Sequence, residues 1–217
     1  DQDTSVFGVK DAYLNSDADF HTTVSKMADI PREQAKTINL GLFYGMGKAK
    51  LQAELGVSKD KAEELFAIYH QRVPFVKTLM KSVSNRAQQR GQIRTLLGRL
   101  CRFHLWEPNR FGINKALPFE QAVQEHGQGN IRRAYTYKAL NKLIQGSAAD
   151  MTKKSMLDLY KEGIIAHIQI HDELDLSVES PEQAKKVVEI MENAVKLDVP
   201  NKVDYESGKN WGDIYDK

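Results

Sequence analysis

The chain has 217 residues, of which 41% are hydrophobic and 28% charged, and its formal net charge is +2. These values are typical of a globular protein with one or two domains rather than of a disordered or fibrous chain. The apolar runs are too short for a membrane span, so we expect no membrane partner. A single cysteine, Cys101, excludes a disulfide within these residues.

The sequence predicts helices and short strands in alternation along the chain. We expect residues 1–20 to form an acidic linker, and a helix capped near Asp29 to begin at Pro31 and to end at Tyr44, before Gly45. Further helices are predicted over 58–70, 74–91, 131–160 and 181–197. Strands are predicted over 93–97, 100–105, 164–170, 174–178 and 203–206. Residues 107–130, which are rich in proline and glycine, are expected to be a loop-rich insertion. This order indicates the α+β class.

The first predicted helix carries a regularly spaced row of side chains. Arg32, Lys36, Leu40 and Tyr44 follow one another at i, i+4 spacing, so they share one face. Two cations lie near the positive end of the helix dipole, followed by an apolar and an aromatic side chain. Such a face could bind a triphosphate and a base. The alternative is an ordinary amphipathic helix with a solvated basic edge.

A second pattern places acids at a predicted hairpin turn. The apolar segment Ile164–Ile170 precedes His171, Asp172 and Glu173, and the segment Leu174–Val178 follows them. Alternation on both sides predicts an antiparallel hairpin with the acids at or near its turn, where the backbone can orient a carboxylate. The alternative is a solvated turn without chemistry.

Charge is distributed unevenly along the chain. No Asp or Glu occurs from Leu65 to Trp106, whereas residues 172–217 hold 12 acids against 6 Lys or Arg, a net charge of −6. The first 171 residues therefore carry +8. A long acid-free basic stretch favours binding to a phosphate backbone. An anionic membrane surface remains an alternative, but the stretch lacks a strong aromatic and apolar face.

The helix pattern Arg-x-x-x-Lys-x-x-x-Leu-Gly-x-x-Tyr-Gly resembles motif B of the family A DNA polymerases. That resemblance implies that Arg32 and Lys36 hold the phosphates of an incoming dNTP and that Tyr44 packs near the nascent base pair. Leu40 would face the nucleotide sugar. The family usually has Phe or Tyr at that position, so this chain departs from the pattern in its sugar contacts.

The hairpin segment Gln169-Ile-His171-Asp172-Glu173 resembles motif C of the same family. By that resemblance Asp172 is a catalytic ligand of two Mg²⁺ ions, Glu173 is an accessory ligand, and Gln169 and His171 contact DNA near the primer terminus. The metals would activate the primer hydroxyl and neutralise charge on the transferring phosphate. The resemblance also implies that Lys36 is a catalytic residue, together with Asp172 and Glu173.

Two further blocks fit the family. Asn141 and Gln145 lie one helical turn apart in Asn-x-x-x-Gln-Gly-Ser-Ala-Ala-Asp, where amides suit the acceptors of the DNA minor groove. Taken alone, they could equally be two polar surface amides. Arg94, Thr95 and Arg99 form an Arg-Thr-Leu-x-Gly-Arg segment that the resemblance places near the DNA backbone. The family often has Arg where this chain has Tyr137, one turn before Asn141.

The resemblance implies a right-hand polymerase fold with helical fingers and the C-terminal part of an antiparallel palm sheet. The expected domains are 1–25, a linker or palm edge, 26–128, the fingers, and 129–217, the palm. The implied activity is template-directed nucleotidyl transfer from dNTP to a primer 3′-hydroxyl. Primer-template DNA and dNTP are the expected partners, and the host cytoplasm is the expected location of a phage protein.

Motif A of the family, an Asp-Tyr-Ser-x-x-Glu-Leu-Arg pattern with the second catalytic aspartate, does not occur in these residues. We therefore expect an N-terminal polymerase chain to supply motif A and the thumb, with an exonuclease as an optional further part, either as a split gene product or as the other piece of a cleaved protein. Two other classes stay open. One is a non-catalytic nucleic-acid-binding module derived from a polymerase, and the other is a metal-dependent nuclease.

Overall fold

The computed structural model describes residues 10–11, 14, 21–22, 25–26, 30–43, 46–72, 74–110, 112, 114–210 and 212–215. The predicted linker over 1–20 therefore lies largely outside the described residues, as do Asp29, Tyr44 and Gly45. The chain divides into two compact units, residues 1–147 and residues 148–217, and each is considered by itself.

Helices and short antiparallel strands make up the described structure, in agreement with the α+β class. The helices are α1 Arg32–Phe43, α2 Lys48–Leu55, α3 Lys59–Arg72, α4 Pro74–Arg90, α5 Phe119–His126, α6 Ala139–Lys161, α7 Pro181–Asn193 and α8 Gly212–Tyr215. The strands are β1 Gln92–Arg94, β2 Leu100–Arg102, β3 Trp106–Pro108, β4 Ile131–Arg133, β5 Ile168–Ile170 and β6 Glu173–Asp175. They pair as three two-stranded antiparallel sheets, β1–β2, β3–β4 and β5–β6.

The first unit contains two hydrophobic clusters that share helix α4. The first cluster joins α1, α2, α3 and the start of α4 through Ile30, Ala35, Ile38, Leu42, Leu51, Leu65, Tyr69 and Val76. The second joins the end of α4 to the β1–β2 sheet and the start of α6 through Val83, Ala87, Ile93, Phe103, Ala139 and Leu140. Burial of these side chains fixes the face that α1 leaves exposed.

In the second unit, the end of α6 and helix α7 pack beside the β5–β6 hairpin. Leu159, Ile164 and Val187 form the buried cluster, with Leu174 and Leu176 partly buried against it. Helix α7 begins as predicted: the Ser180 side chain accepts a hydrogen bond from the Gln183 backbone N–H, and Pro181 follows in the first turn.

The predicted helix over 131–160 is wrong at its start. Residues Ile131–Arg133 form strand β4, which pairs with β3, and the Arg133 guanidinium lies 4.5 Å from the centre of the Trp106 ring. Tyr135 then adopts a left-handed conformation with φ 61°, which a right-handed helix excludes. Helix α6 begins only at Ala139.

Other boundaries also differ from the prediction. The insertion over 107–130 is not all loop, because it contains α5, and α2 has no counterpart among the predicted elements. Helix α7 ends at Asn193 rather than at residue 197, and the Asn193 side chain donates to the Glu189 carbonyl at that end. Residues 203–206 form no strand; the Val203 N–H donates instead to the Glu192 carboxylate.

The predicted hairpins are correct in position but shorter. Strands over 93–97 and 100–105 become three-residue strands, and the segments 164–170 and 174–178 contribute only β5 and β6. Within the described part of the chain, no helix is both long enough and apolar enough to cross a membrane.

Candidate active site

Helix α1 presents the predicted row of side chains to solvent. Arg32, Lys36 and Leu40 are all exposed, whereas Ala35 and Ile38 on the opposite side are fully buried. The shared face predicted from the i, i+4 spacing is therefore present for these three residues. Tyr44, the fourth member of the row, lies outside the described residues.

Two residues outside the predicted set lie against α1. The Arg32 Nε donates to the Thr22 hydroxyl over 3.2 Å, and the Asn39 amide donates to His21 Nδ1 over 3.3 Å. Asn39 is almost completely buried, so this contact connects its polar side chain to His21 from a distant part of the sequence. No local signal reveals such a pairing, although an Asn inside an otherwise apolar helix face indicates a specific partner.

An open groove runs beside the exposed face of α1. Its cavity volume is about 470 Å³, and it is lined by Thr37, Leu40, Gly41, Met46, Gly47, Lys50 and Glu54 from α1, α2 and their connection. Leu40, whose side chain is 42% exposed, thus provides an apolar contact at the groove edge, next to the two cations of the same helix.

The β1–β2 turn is held by hydrogen bonds across its own residues. The Thr95 N–H donates to the Arg99 carbonyl over 2.9 Å, and the Arg99 N–H donates to the Thr95 hydroxyl over 3.0 Å. Gly98 has φ 87°, a left-handed conformation that favours glycine at this point of the turn. The Arg94 guanidinium donates to the Gly98 carbonyl over 2.9 Å.

The same turn docks on helix α6, which joins two of the predicted sequence blocks. The Leu96 N–H donates to the Ser147 hydroxyl over 3.0 Å, and the Arg99 guanidinium donates to the Gly146 carbonyl over 2.8 Å. A Cβ atom at Gly146 would lie 2.8 Å from Thr95 Cγ2, so the close approach requires glycine. Arg99 therefore has a structural contact in addition to any contact with DNA.

Asn141 and Gln145 lie on the α6 segment that carries this docking point. Gln145 is exposed, whereas Asn141 is half-buried. The side-chain oxygen of Asn141 is buried and has no hydrogen-bond partner among the described residues. Tyr137, which precedes Asn141 by one turn, is 56% exposed, and the Lys138 ammonium lies 5.6 Å from the centre of its ring.

The β5–β6 hairpin confirms the predicted position of the acids. Ile170 pairs with Glu173, so His171 and Asp172 form a two-residue turn, and His171 has φ 52°. Gln169, His171, Asp172 and Glu173 are all exposed. The Gln169 amide donates to the His171 carbonyl. The Asp172 carboxylate is thus presented to solvent at the tip of a hairpin.

Asp175 is a third acid of this hairpin that the sequence patterns did not single out. It follows Glu173 at i+2 in strand β6, so both side chains lie on one face of the strand. Burial raises the pKa of Asp175, and the charge of Glu173 and a hydrogen bond between the two carboxyl groups raise it further. Period-2 spacing of two acids in a strand is the signal that would have revealed the pair.

The oxygen donors at the hairpin tip fit part of a Mg²⁺ site. Mg²⁺ is commonly held by one or two carboxylates together with substrate phosphates and water, and Asp172 is an exposed carboxylate of this kind. Glu173 already interacts with Asp175, which makes it the weaker candidate. The described residues contain no group of three or more His, Cys, Asp or Glu placed to hold a metal ion.

Comparison with solved structures identifies the class of protein. The chain matches the structure titled "POL domain of Pol1 from M. smegmatis complex with DNA primer-template and dNTP" with a TM-score of 0.68 and 28% sequence identity. The match covers 89% of this chain and 34% of that one. The fold is therefore that of a polymerase domain of the right-hand type.

The sequence profile of DNA polymerase family A matches residues 10–213, and the chain belongs to this family. A DNA-directed DNA polymerase of Pseudomonas phage M6 is 33% identical over 96% of the chain, and DNA polymerase I of Bacillus caldotenax is 35% identical over 89%. The thermostable DNA polymerase I of Thermus aquaticus is 31% identical over 89%. The chain spans 33% of the phage relative and 21–23% of these bacterial ones.

Proposed function

We propose that this chain forms part of the catalytic region of a template-directed DNA polymerase, which transfers a nucleotide from dNTP to the 3′-hydroxyl of a DNA primer. The observation that carries the proposal is the exposed row of Arg32, Lys36 and Leu40 on α1 in a member of polymerase family A. In this assignment residues 26–128 act as fingers and residues 129–217 as the C-terminal part of the palm.

Helix α1 binds the nucleotide in this proposal. The Arg32 guanidinium and the Lys36 ammonium hold the phosphates, because charge-assisted hydrogen bonds to phosphate are about twice as strong as neutral ones. Leu40 packs against the sugar, and Tyr44 packs against the nascent base pair. The buried core beneath α1 fixes the helix backbone from which the two cations project, so binding need order only their side chains.

The hairpin tip binds the metal ions. Asp172 is the proposed ligand of two Mg²⁺ ions, with Glu173 as an accessory ligand and with Gln169 and His171 beside the primer terminus. When bound, Mg²⁺ supplies an electrophile that acidifies the primer hydroxyl and offsets charge on the phosphates. Asp172 presents its carboxylate to the ions from a turn that is flanked by paired strands on both sides.

Duplex DNA is held by side chains of α6 and of the β1–β2 turn. Asn141 and Gln145 donate hydrogen bonds to minor-groove acceptors, which are nearly the same for every base pair, so the grip is independent of sequence. Arg94 and Arg99 provide positive charge near the DNA backbone, and Thr95 holds the turn that carries them. These assignments make primer-template DNA and dNTP the partners of the chain, acting in the cytoplasm.

The completed site needs a second catalytic aspartate, which the family carries in motif A, and the motif A pattern does not occur in these 217 residues. We propose that polymerase sequence carrying motif A supplies it, either in the same polypeptide or in a separate N-terminal chain. The hairpin supports this idea, since all three β5 residues are exposed, with Ile168 at 44% and Ile170 at 36%. In the described part of the chain this sheet has two strands, and isolated two-stranded sheets are marginally stable.

A non-catalytic DNA-binding module is the second candidate function. The observation that favours it is the acid-free basic stretch from Leu65 to Trp106, which suits a phosphate backbone whether or not chemistry follows. Primer extension separates the two functions. The chain is assayed alone, with a polypeptide carrying motif A, and as a fusion to that polypeptide. We expect incorporation only when the motif A sequence is present. Salt-sensitive DNA binding without extension in every arrangement would favour the module, and degradation of the DNA would indicate a nuclease.

Replacement of Lys36 tests the nucleotide-binding role of α1. In the completed enzyme, Lys36→Ala removes one charged hydrogen bond to phosphate, for which about 1.5–3 kcal/mol is typical. We expect incorporation at low dNTP concentration to fall about 10-fold to 100-fold. Lys59→Ala, which changes an exposed lysine at the start of α3, is the matched control. Equal rates for the two variants at every dNTP concentration would exclude the phosphate role.

A further inference from the structure

Helix α4 has one buried stripe and a broad exposed face. Val76, Val83 and Ala87 are buried, and Met80 packs against the second hydrophobic cluster. In chain order, Val76, Met80, Val83 and Ala87 are separated by four, three and four positions, so they lie on one side of the helix. The opposite side of this 17-residue helix is exposed along about 25 Å of helix axis, whereas Phe75 and Gln88 flank the buried stripe and are half-buried.

The exposed face combines two cationic edges with a neutral polar centre. Helical geometry puts Lys77 and Lys81 on one edge and Arg86 and Arg90 on the other. The four cations are all exposed. The neutral hydrogen-bonding side chains between the two edges are Thr78, Ser82, Asn85 and Gln89. No acid occurs on this helix, so its positive charges add rather than cancel.

The cations of α4 are not neutralised within the described structure. No described residue forms an ion pair or a hydrogen bond with any of the four side chains. Helices α3 and α7 each contain at least one paired lysine: Lys61 pairs with Glu64 at 3.0 Å, and Lys186 pairs with Glu162 at 2.7 Å. The difference is a feature of the sequence, because residues 65–106 contain no carboxylate.

The charge of α4 also affects the pKa of a neighbouring histidine. Burial lowers the pKa of His70 in α3, and the nearby Lys77 ammonium lowers it further.

The β1–β2 sheet that follows α4 carries a further exposed cation, Arg102. Arg102 pairs across the sheet with Gln92, which lies two residues beyond the end of α4. Exposed cationic side chains thus continue past the C-terminal end of the helix.

We propose that the exposed face of α4 is a binding site for the phosphodiester backbone of DNA, formed by Lys77, Lys81, Arg86 and Arg90. None of these residues belongs to the four sequence blocks that carry the proposed function. Charge complementarity identifies a polyanion as the occupant, and the neutral donors between the cationic edges suit phosphate oxygens. A membrane surface fits poorly, because Leu79 is the only large apolar side chain exposed on this described helix.

The proposal rests on the proposed function only in naming DNA as the polyanion. The test measures the affinity of the 217-residue chain for single-stranded and duplex DNA, without dNTP or metal ion, at salt concentrations from about 50 to 200 mM. The test variant is K77Q/K81Q/R86Q/R90Q. The control K59Q/K115Q/K185Q/K196Q removes the same total charge from exposed lysines elsewhere. Circular dichroism and thermal melting check that both remain folded.

We expect the α4 variant to bind single-stranded DNA at least about tenfold more weakly than the control at low salt. The slope of log affinity against log salt should decrease by about 3, because each lost phosphate contact contributes roughly 0.7 for a single strand. If the four-site variant does not fold, K77Q/K81Q and R86Q/R90Q are measured separately, each with an expected slope change of about half that size.

Equal affinities and equal salt slopes for the α4 variant and the control would overturn the proposal. It would also fail if vesicles with anionic lipid bound the chain as tightly as DNA does, in an α4-dependent way. The proposed polymerase function has a separate readout. Primer extension by the completed enzyme tests the polymerase function, and the binding curves test the α4 site. Failure of one proposal is therefore distinguishable from failure of the other.

Discussion

The two turns that carry family motifs differ in how many contacts support them. The β1–β2 turn is stabilised by hydrogen bonds among its own residues and by two further bonds to α6 at Gly146 and Ser147. The β5–β6 turn is formed by His171 and Asp172, both exposed, and is held by strand pairing and by the Gln169 amide. Both turns contain a residue with positive φ.

In the proposed function, this difference in support corresponds to two different tasks. A turn fixed by its own unit can position DNA without any other group, because its geometry exists before binding. A carboxylate on an exposed hairpin is free to accept a metal ion, but its final orientation depends on what that ion and further polymerase sequence provide. The stability of the chain should therefore be sensitive to changes at the β1–β2 turn, and its chemistry to changes at the β5–β6 turn.

The largest stability effect is expected from Gly146→Ala. The added Cβ would lie 2.8 Å from Thr95 Cγ2, and overpacking of this kind costs about 1–3 kcal/mol, offset by up to about 1 kcal/mol of helix propensity. We expect a net loss of about 1–2 kcal/mol in denaturant unfolding. Gly129→Ala is the control, since no atom lies within 4 Å of a Cβ at that position.

A second substitution tests the cause of that loss. Thr95→Ser in the Gly146→Ala background removes the methyl group that the new Cβ would meet. The double variant should therefore lose less than the two single changes together. Additive losses, or a Gly146→Ala variant as stable as the unmodified chain, would contradict the docking of the β1–β2 turn on α6.

A smaller effect is expected from Thr95→Val. This near-isosteric change removes the hydroxyl that accepts from the Arg99 N–H over 3.0 Å and donates to the Arg99 carbonyl over 3.3 Å. The loss of the shorter bond alone costs about 1 kcal/mol. Thr152→Val is the control, because the Thr152 hydroxyl only donates to the Ala148 carbonyl of its own helix. Denaturant midpoints measure both. A larger loss for Thr152→Val than for Thr95→Val would show that the turn is not held as described.

The smallest effect concerns Asp175 and pH. Because the folded state holds the pKa of Asp175 above its ordinary value of 3.8, the folded chain binds a proton that the unfolded chain has released. Stability from this group is present below about pH 3.8 and decreases as pH rises through the folded pKa. Asp175→Asn should reduce that dependence and stabilise the chain slightly at pH 7. A less stable variant with an unchanged pH profile would count against the carboxyl pair.

Local sequence patterns predicted the parts of the site that depend on helix and strand periodicity. The exposed row on α1, the cap formed by Ser180 and the acids at the hairpin turn all follow from spacing and from turn or capping residues. The resemblance of four blocks to one family predicted the fold class and the family, and both are confirmed. The roles of the site residues stay predictions.

The structural features that the sequence did not predict depend on contacts between distant residues. Ile131–Arg133 lies at the start of a segment predicted to be helical over 131–160, but pairing with β3 and the contact of Arg133 with Trp106 make it a strand. The docking of Thr95 on Gly146 joins residues about fifty positions apart. Neither hydrophobic periodicity nor residue propensity contains such information, because both are local properties of the sequence.

The central claim is that Asp172, at the exposed hairpin tip, is the metal-binding carboxylate of nucleotide transfer. The most direct measurement is the single-nucleotide incorporation rate of Asp172→Ala in the polymerase completed with motif A, together with its DNA affinity and with Asp204→Ala as an exposed control. We expect the rate to fall by about 10³-fold or more, since such a ligand supports several kcal/mol of charge stabilisation, while DNA affinity stays unchanged. A variant that extends primers at the unmodified rate would contradict the claim.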